Sequence, residues 1–147
     1  MRLALDQARH AATLGEVPVG AVVYELSTGN VIASAHNRRE IDHNPAGHAE
    51  LLAITAAATT RGDWRLTDCG LAVTLEPCCM CAGVIVQARL GEVIYGATDP
   101  KAGFAGSLGN LLTDPRLNHR VQPIPGVLAE ECGDLLRAFF KARRSRT

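Results

Sequence analysis

The pair of segments His48-Ala49-Glu50 and Pro77-Cys78-Cys79-Met80-Cys81 constrains this chain more than any other feature. Together they offer one imidazole and two thiols as metal donors, plus a carboxylate that need not touch the metal. Four protein ligands close a structural zinc centre, whereas three leave the fourth tetrahedral position for water. A fold that uses both segments has to bring them together across the intervening strand-like run Leu71-Ala72-Val73-Thr74-Leu75.

The rest of the chain alternates helix and strand signals. Ala4, Leu5, Ala8, Ala11 and Ala12 recur at helical spacing before Gly15 and predict a short amphipathic helix. Val19 to Leu26 and Val31 to Ala35 are β-rich runs joined by Ser27-Thr28-Gly29-Asn30, a hairpin signal. After a polar loop from Asn37 to Gly47, the Ala- and Leu-rich run His48 to Thr60 predicts a helix with His48 and Glu50 in its first turn. Leu71 to Leu75 predicts a buried strand, which Glu76-Pro77 stops as the next helix begins. Cys78 and Cys81 then share one helix face near its positive end, where thiolates are favoured.

Glu92 to Ala97 predicts a further strand, Thr98 to Asn110 a Gly-rich loop, and the proline-flanked Val121 to Ile124 a short edge strand. In the last helix Leu128, Cys132, Leu135, Leu136 and Phe139 form one stripe, with Arg137, Lys141 and Arg144 opposite and Phe140 at the border. An opening hairpin followed by alternating helices and strands predicts an α/β layered sheet, mostly parallel beyond the hairpin. At 147 residues and 47% apolar content, one domain spanning 1–147 is expected.

No apolar run approaches the ~20 residues that span a bilayer, and the N-terminus lacks a secretory apolar stretch. A cytoplasmic protein with no membrane partner is therefore expected. An odd set of five cysteines, three of them clustered, is no disulfide framework and favours metal binding in a reducing compartment. Cys69 and Cys132 stand in apolar patterns and read as small buried hydrophobes. A net charge of zero argues against a protein that coats nucleic acid. Even so, Lys141, Arg143, Arg144 and Arg146 gather near the end of the chain, either for an anionic partner or as a solvated tail.

A lone Cys-x-x-Cys is ambiguous between zinc, a redox pair and chance. The redox reading needs a Cys78–Cys81 disulfide and leaves the His-x-Glu without a role. A structural zinc site needs a fourth ligand, and Cys79 is directed away from the face shared by Cys78 and Cys81. His10, His36, His43 and His119 have no ligand-like spacing and read as surface or satisfied polar residues. Glu50 lies in the same turn as His48 without sharing its direction, so it can reach a water at the metal rather than the metal. Its bland reading is a carboxylate favouring a helix N-terminus. His-x-Glu, a strand and Pro-Cys-x-x-Cys together form the signature of zinc deaminases, in which the glutamate acts as general acid and base.

Further segments narrow the resemblance. Gly15-Glu16-Val17-Pro18-Val19-Gly20-Ala21-Val22, Thr74-Leu75-Glu76-Pro77, Gly96-Ala97-Thr98-Asp99-Pro100-Lys101, Gly106-Ser107, Asn118-His119-Arg120-Val121 and Phe139-Phe140-Lys141 run almost end to end along the chain. In these the sequence resembles the bacterial tRNA-specific adenosine deaminases, within the zinc-dependent cytidine deaminase-like superfamily.

The resemblance implies a three-layer α/β/α cytidine deaminase-like fold with a central mixed, about five-stranded sheet. It implies one Zn2+ per subunit held by His48, Cys78 and Cys81, with Glu50 as the proton shuttle. The implied reaction is hydrolytic deamination of adenosine to inosine at wobble position 34 of tRNA, usually tRNA-Arg with an ACG anticodon. Asn37 matches a residue that orients the base, Asp99 and Lys101 a loop beside the RNA, and Phe140 and Arg144 positions that meet the anticodon loop. The implied partners are the tRNA anticodon stem-loop, with no DNA, and a second copy in a homodimer.

Met1 aligns inside the family's first helix, so a start a few residues late is expected, and Thr98 and Phe104 depart from residues that some relatives carry in the RNA-side loop. Two other readings stay open: a deaminase of free guanine, cytosine or a nucleoside, and a non-catalytic zinc-stabilised RNA-binding module. Intact Glu50 speaks against the latter.

Overall fold

The computed structural model describes residues 1–145; Arg146, counted above in the basic tail, lies outside the described residues. Helix α1 (Arg2–Thr13) buries Ala4, Leu5, Ala8 and Ala11 along one stripe, as the spacing predicts. It ends at Leu14, and Gly15 takes the left-handed conformation with φ of 80° that turns the chain into the sheet. Strands β1 (Gly20–Glu25) and β2 (Val31–His36) form the expected antiparallel hairpin.

After α2 (Ala49–Arg61), strand β3 (Cys69–Leu75) pairs with β1 rather than with the hairpin's outer strand. Helix α3 (Cys79–Gln87), strand β4 (Glu92–Ala97), strand β5 (Pro123–Ile124) and helix α4 (Ala129–Arg144) follow. The sheet order is β2-β1-β3-β4-β5. Its β3-β4-β5 half is parallel, as predicted beyond the hairpin, and joins the hairpin through the antiparallel β1–β3 pair. The predicted strand Val121 to Ile124 shrinks to Pro123 and Ile124, because Val121 gives its N–H to the Leu112 carbonyl in the preceding loop and Pro125 ends the run.

Strand alternation assigns the two faces of the sheet. Ala21, Val23, Leu71, Val73, Val93 and Tyr95 point into one core with Ala49, Ala53, Ile54 and Ala57 of α2 and Ala82, Ile85 and Val86 of α3. Their neighbours Val22 and Ala72 point to the opposite face, covered by α1 and α4. The outcome is three layers, α/β/α. Cys69 and Cys132 are buried, as small hydrophobes should be. Among the described residues no helix is long and apolar enough to cross a membrane.

Close helix–sheet approach on the α1 face depends on Gly20. A Cβ there would sit 2.0 Å from the Ala4 carbonyl oxygen and 2.6 Å from the Ala8 nitrogen, both backbone atoms that cannot rotate away. Gly20→Ala is therefore expected to destabilise the protein by about 1–3 kcal/mol through overpacking. A lower urea midpoint at unchanged m-value would show it; an unchanged midpoint would mean that α1 shifts freely.

Candidate active site and metal centre

The start of β1 and the ends of β2, β3 and β4 lie at one edge of the sheet, and the N-termini of α2 and α3 converge there. Helix α2 begins one residue later than predicted, and α3 two residues later than the expected start at Pro77. His48 and Cys78 are N-caps with extended backbone (φ/ψ of −84°/144° and −73°/176°) and not members of a first helical turn. Each carbonyl still accepts the first helical bond, from Leu52 and Ala82 respectively. This frees the two side chains from the helix surface and lets them turn toward each other over the helix ends.

The Nδ1 of His48 lies 3.6 Å from both Cys78 Sγ and Cys81 Sγ. All three donor atoms fall within 4.8 Å of one another, the one such group of His, Cys, Asp or Glu among the described residues. Cys79 points outward and is exposed, as its neighbour position predicts. His36 hydrogen-bonds the Asn37 carbonyl and His119 the Leu90 carbonyl, so neither is drawn to the cluster.

Taken as side chains alone, these donors hold their protons unevenly. The hydrogen bond from Cys81, joined by His48, pulls the Cys78 thiol down to about 4. The same bond and burial push Cys81 far up. The Cys78 hydrogen bond raises His48, with desolvation opposing. Two sulfurs and one imidazole nitrogen, with no carboxylate oxygen among them, form a soft donor set that fits zinc and not magnesium or calcium.

Glu50 sits beside this cluster without belonging to it. It is 4% exposed, in the first turn of α2, with its Oε2 accepting from Cys81 Sγ at 3.5 Å. Burial pushes its carboxyl up to about 7. A carboxylate with affinity for a proton near neutral pH is suited to taking and returning one.

The cluster opens on a cavity of about 200 Å³, lined in part by Val17, Val19, Asn37, Arg39, Glu50 and Asp99. Asn37 is buried, its Nδ2 donating to Glu16 Oε2 and the Val17 carbonyl. Asp99 Oδ1 accepts the backbone N–H groups of Lys101 and Ala102. The structure thus brings His48, Cys78, Cys81, Glu50, Asn37 and Asp99 together. Lys101, Phe140 and Arg144 are exposed and outside the cavity lining. Phe140 is 40% exposed and meets Phe139 edge-to-face.

Two buried carboxylates at this edge had no role in the sequence reading. Glu16 is fully buried, and besides Asn37 it accepts the Ile41 N–H at 2.7 Å. Glu76, read as a strand stop, is 2% exposed and accepts from Asp99, Ala105 and Ser107. Burial alone would raise its carboxyl, but these hydrogen bonds prevail and hold it below the ordinary range. In the sequence both fall in segments that carry the family resemblance, Gly15 to Val22 and Thr74 to Pro77, but nothing there assigns either carboxylate a role.

The three-layer fold and a His/Cys/Cys cluster with a carboxylate alongside define a deaminase with the cytidine deaminase-like architecture. The chain belongs to the MafB19-like deaminase family, whose pattern it matches over residues 1–144. It is 47% identical over 146 residues to a tRNA-specific adenosine deaminase of Bacillus subtilis, covering 99% of this chain and 89% of that one. A solved structure from a study of A-to-I editing tRNA deaminases that act at the wobble position superposes with a TM-score of 0.88 at 39% identity. That match covers 92% of this chain and 97% of the other. A guanine deaminase from Bacillus subtilis matches at TM-score 0.63 and 31% identity, over 98% and 90% of the two chains.

Proposed function

We propose that this deaminase converts adenosine to inosine at wobble position 34 of tRNA, with tRNA-Arg carrying an ACG anticodon as a substrate. The observation that carries the reading is buried Glu50, 3.5 Å from Cys81 and facing a cavity with room for one base rather than a folded RNA. The similarity to enzymes named as tRNA-specific adenosine deaminases supports adenosine in a tRNA as the substrate. An anticodon loop suits such a cavity because its bases can be splayed out at modest cost.

His48 Nδ1, Cys78 Sγ and Cys81 Sγ would hold one zinc per subunit. When bound, that ion supplies Lewis acidity and eases deprotonation of water. The Glu50 carboxylate takes a proton from the water that adds to C6 and delivers it to N1. It then moves a proton to the exocyclic nitrogen, so that the C6–N6 bond breaks and ammonia leaves. Water and adenosine are consumed; inosine and ammonia are formed. Asn37, held by Glu16 and the Val17 carbonyl, orients the base.

Asp99 at the cavity wall, and Lys101, Phe140 and Arg144 outside it, meet the anticodon stem-loop. Phe140 offers a ring for stacking, with cationic side chains for phosphates on the same terminal helix. Phe140→Ala is expected to weaken stem-loop binding by about five- to a hundredfold, the range for losing one stacked base. Fluorescence anisotropy with a labelled stem-loop measures it, and unaltered affinity would return Phe140 to a packing role. The reading also includes a cytoplasmic homodimer of single-domain subunits.

The resemblance to a guanine deaminase gives a second reading, a free-purine deaminase. Ammonia release from guanine, adenosine and a tRNA-Arg transcript separates the two. Release from the transcript alone is expected, and efficient release from guanine without RNA would favour the second reading.

A further inference from the structure

Four donors converge on one carboxylate outside the metal cluster. Glu76 Oε1 accepts the Asp99 N–H at 3.1 Å and the Ser107 hydroxyl at 2.5 Å, while Oε2 accepts the N–H groups of Ala105 at 3.2 Å and Ser107 at 3.0 Å. All four come from one loop, residues 98–110, and that loop supplies Asp99 and Ala102 to the cavity wall. The loop lies so close that a Cβ on Gly103 would fall 2.2 Å from Glu76 Oε2. An ionised carboxylate suits this position because it only accepts. Glutamine has the same shape but would turn an NH2 group toward backbone N–H groups.

We propose that Glu76 is a positioning residue: through the Asp99, Ala105 and Ser107 amides and the Ser107 hydroxyl it fixes the 98–110 loop as the wall against which substrate seats. The inference rests on the tRNA-deaminase reading for the identity of that substrate. Glu76 itself borders the cavity, but both its oxygens are taken up by the loop donors, so its loss should appear in substrate affinity and not in zinc content or in the chemical step. The backbone bond from Phe104 N–H to the Pro77 carbonyl remains when the side-chain latch is cut, so the loop loosens without detaching.

The test cuts the latch from both sides. Ser107→Ala removes one donor, Gly103→Ala pushes the loop away from an intact Glu76, and Glu76→Gln reverses the polarity of half the carboxylate. Ser107→Thr keeps the hydroxyl. The first three are expected to raise KM for the tRNA-Arg transcript about tenfold, comparable to one charge-assisted hydrogen bond, with kcat within about twofold. Zinc per chain should match wild type, the Asp99, Ala105 and Ser107 amides should exchange hydrogen faster, and Ser107→Thr should restore KM. Unchanged KM in the zinc-loaded Ser107→Ala and Gly103→Ala proteins would overturn the proposal. Loss of zinc, or a fall in kcat at constant KM, would likewise overturn it by making Glu76 a support of the metal centre. A wild type inactive on tRNA would instead defeat the functional reading. The latch is then judged on amide exchange and on KM for whichever small substrate releases ammonia.

Discussion

A Glu50→Gln protein is expected to keep its full complement of zinc and lose about 10²–10⁴-fold in kcat, the usual share of a positioned general acid and base. The substitution is nearly isosteric, so the buried site of a side chain only 4% exposed stays filled. An amide cannot carry a proton between water and the base, although it can still hydrogen-bond to Cys81. Because Glu50 is not among the three clustered donors, metal content and activity should separate. Single-turnover conversion of tRNA-Arg, with zinc measured on the same sample, checks this. Joint loss of metal and activity would make Glu50 a ligand or a structural prop.

Cys81→Ala is expected to have the opposite signature, with zinc and activity disappearing together. Cys81 is buried and approaches both His48 Nδ1 and Glu50 Oε2, so no water or neighbouring side chain readily replaces its sulfur. A two-donor remnant of His48 and Cys78 is too few for a tetrahedral zinc. Cys79→Ala, two residues away but exposed, should retain both metal and rate. Metal analysis of the two purified variants decides the matter; zinc retained in Cys81→Ala and lost in Cys79→Ala would reverse the ligand assignment.

The sequence was most legible where a local pattern coincides with a global demand. The β1–β2 hairpin and the α1 stripe follow from turn chemistry and periodicity, and β3 from an apolar run that proves buried on both faces. The α4 stripe is only partly borne out, since Leu128 precedes the helix as its N-cap and Cys132 is the one predicted stripe residue that is fully buried. His48 and Cys78 lie just outside the helices expected to contain them, because a cap differs from a first helical turn in backbone angles, not in residue type. The pairing of β3 with β1 is a choice between two partners far apart in the chain, and no local signal encodes it. Glu16 and Glu76 went unread for a related reason. Their partners, Ile41 and residues 99–107, are brought in by loops, and only the folded chain shows that each carboxylate meets backbone amides instead of solvent. His48, Cys78, Cys81 and Glu50, which the structure gathers at one site, stand out in sequence because their spacing is itself chemical. Lys101, Phe140 and Arg144 were named through resemblance, and their exposure outside the cavity suits contact with a large substrate without specifying one.

The most direct test of the account is inosine formation at position 34 of an unmodified tRNA-Arg with an ACG anticodon, measured for wild type beside Glu50→Gln. Conversion by the zinc-loaded wild type and not by the variant is the predicted result. No inosine from a wild type confirmed to hold zinc would contradict the account.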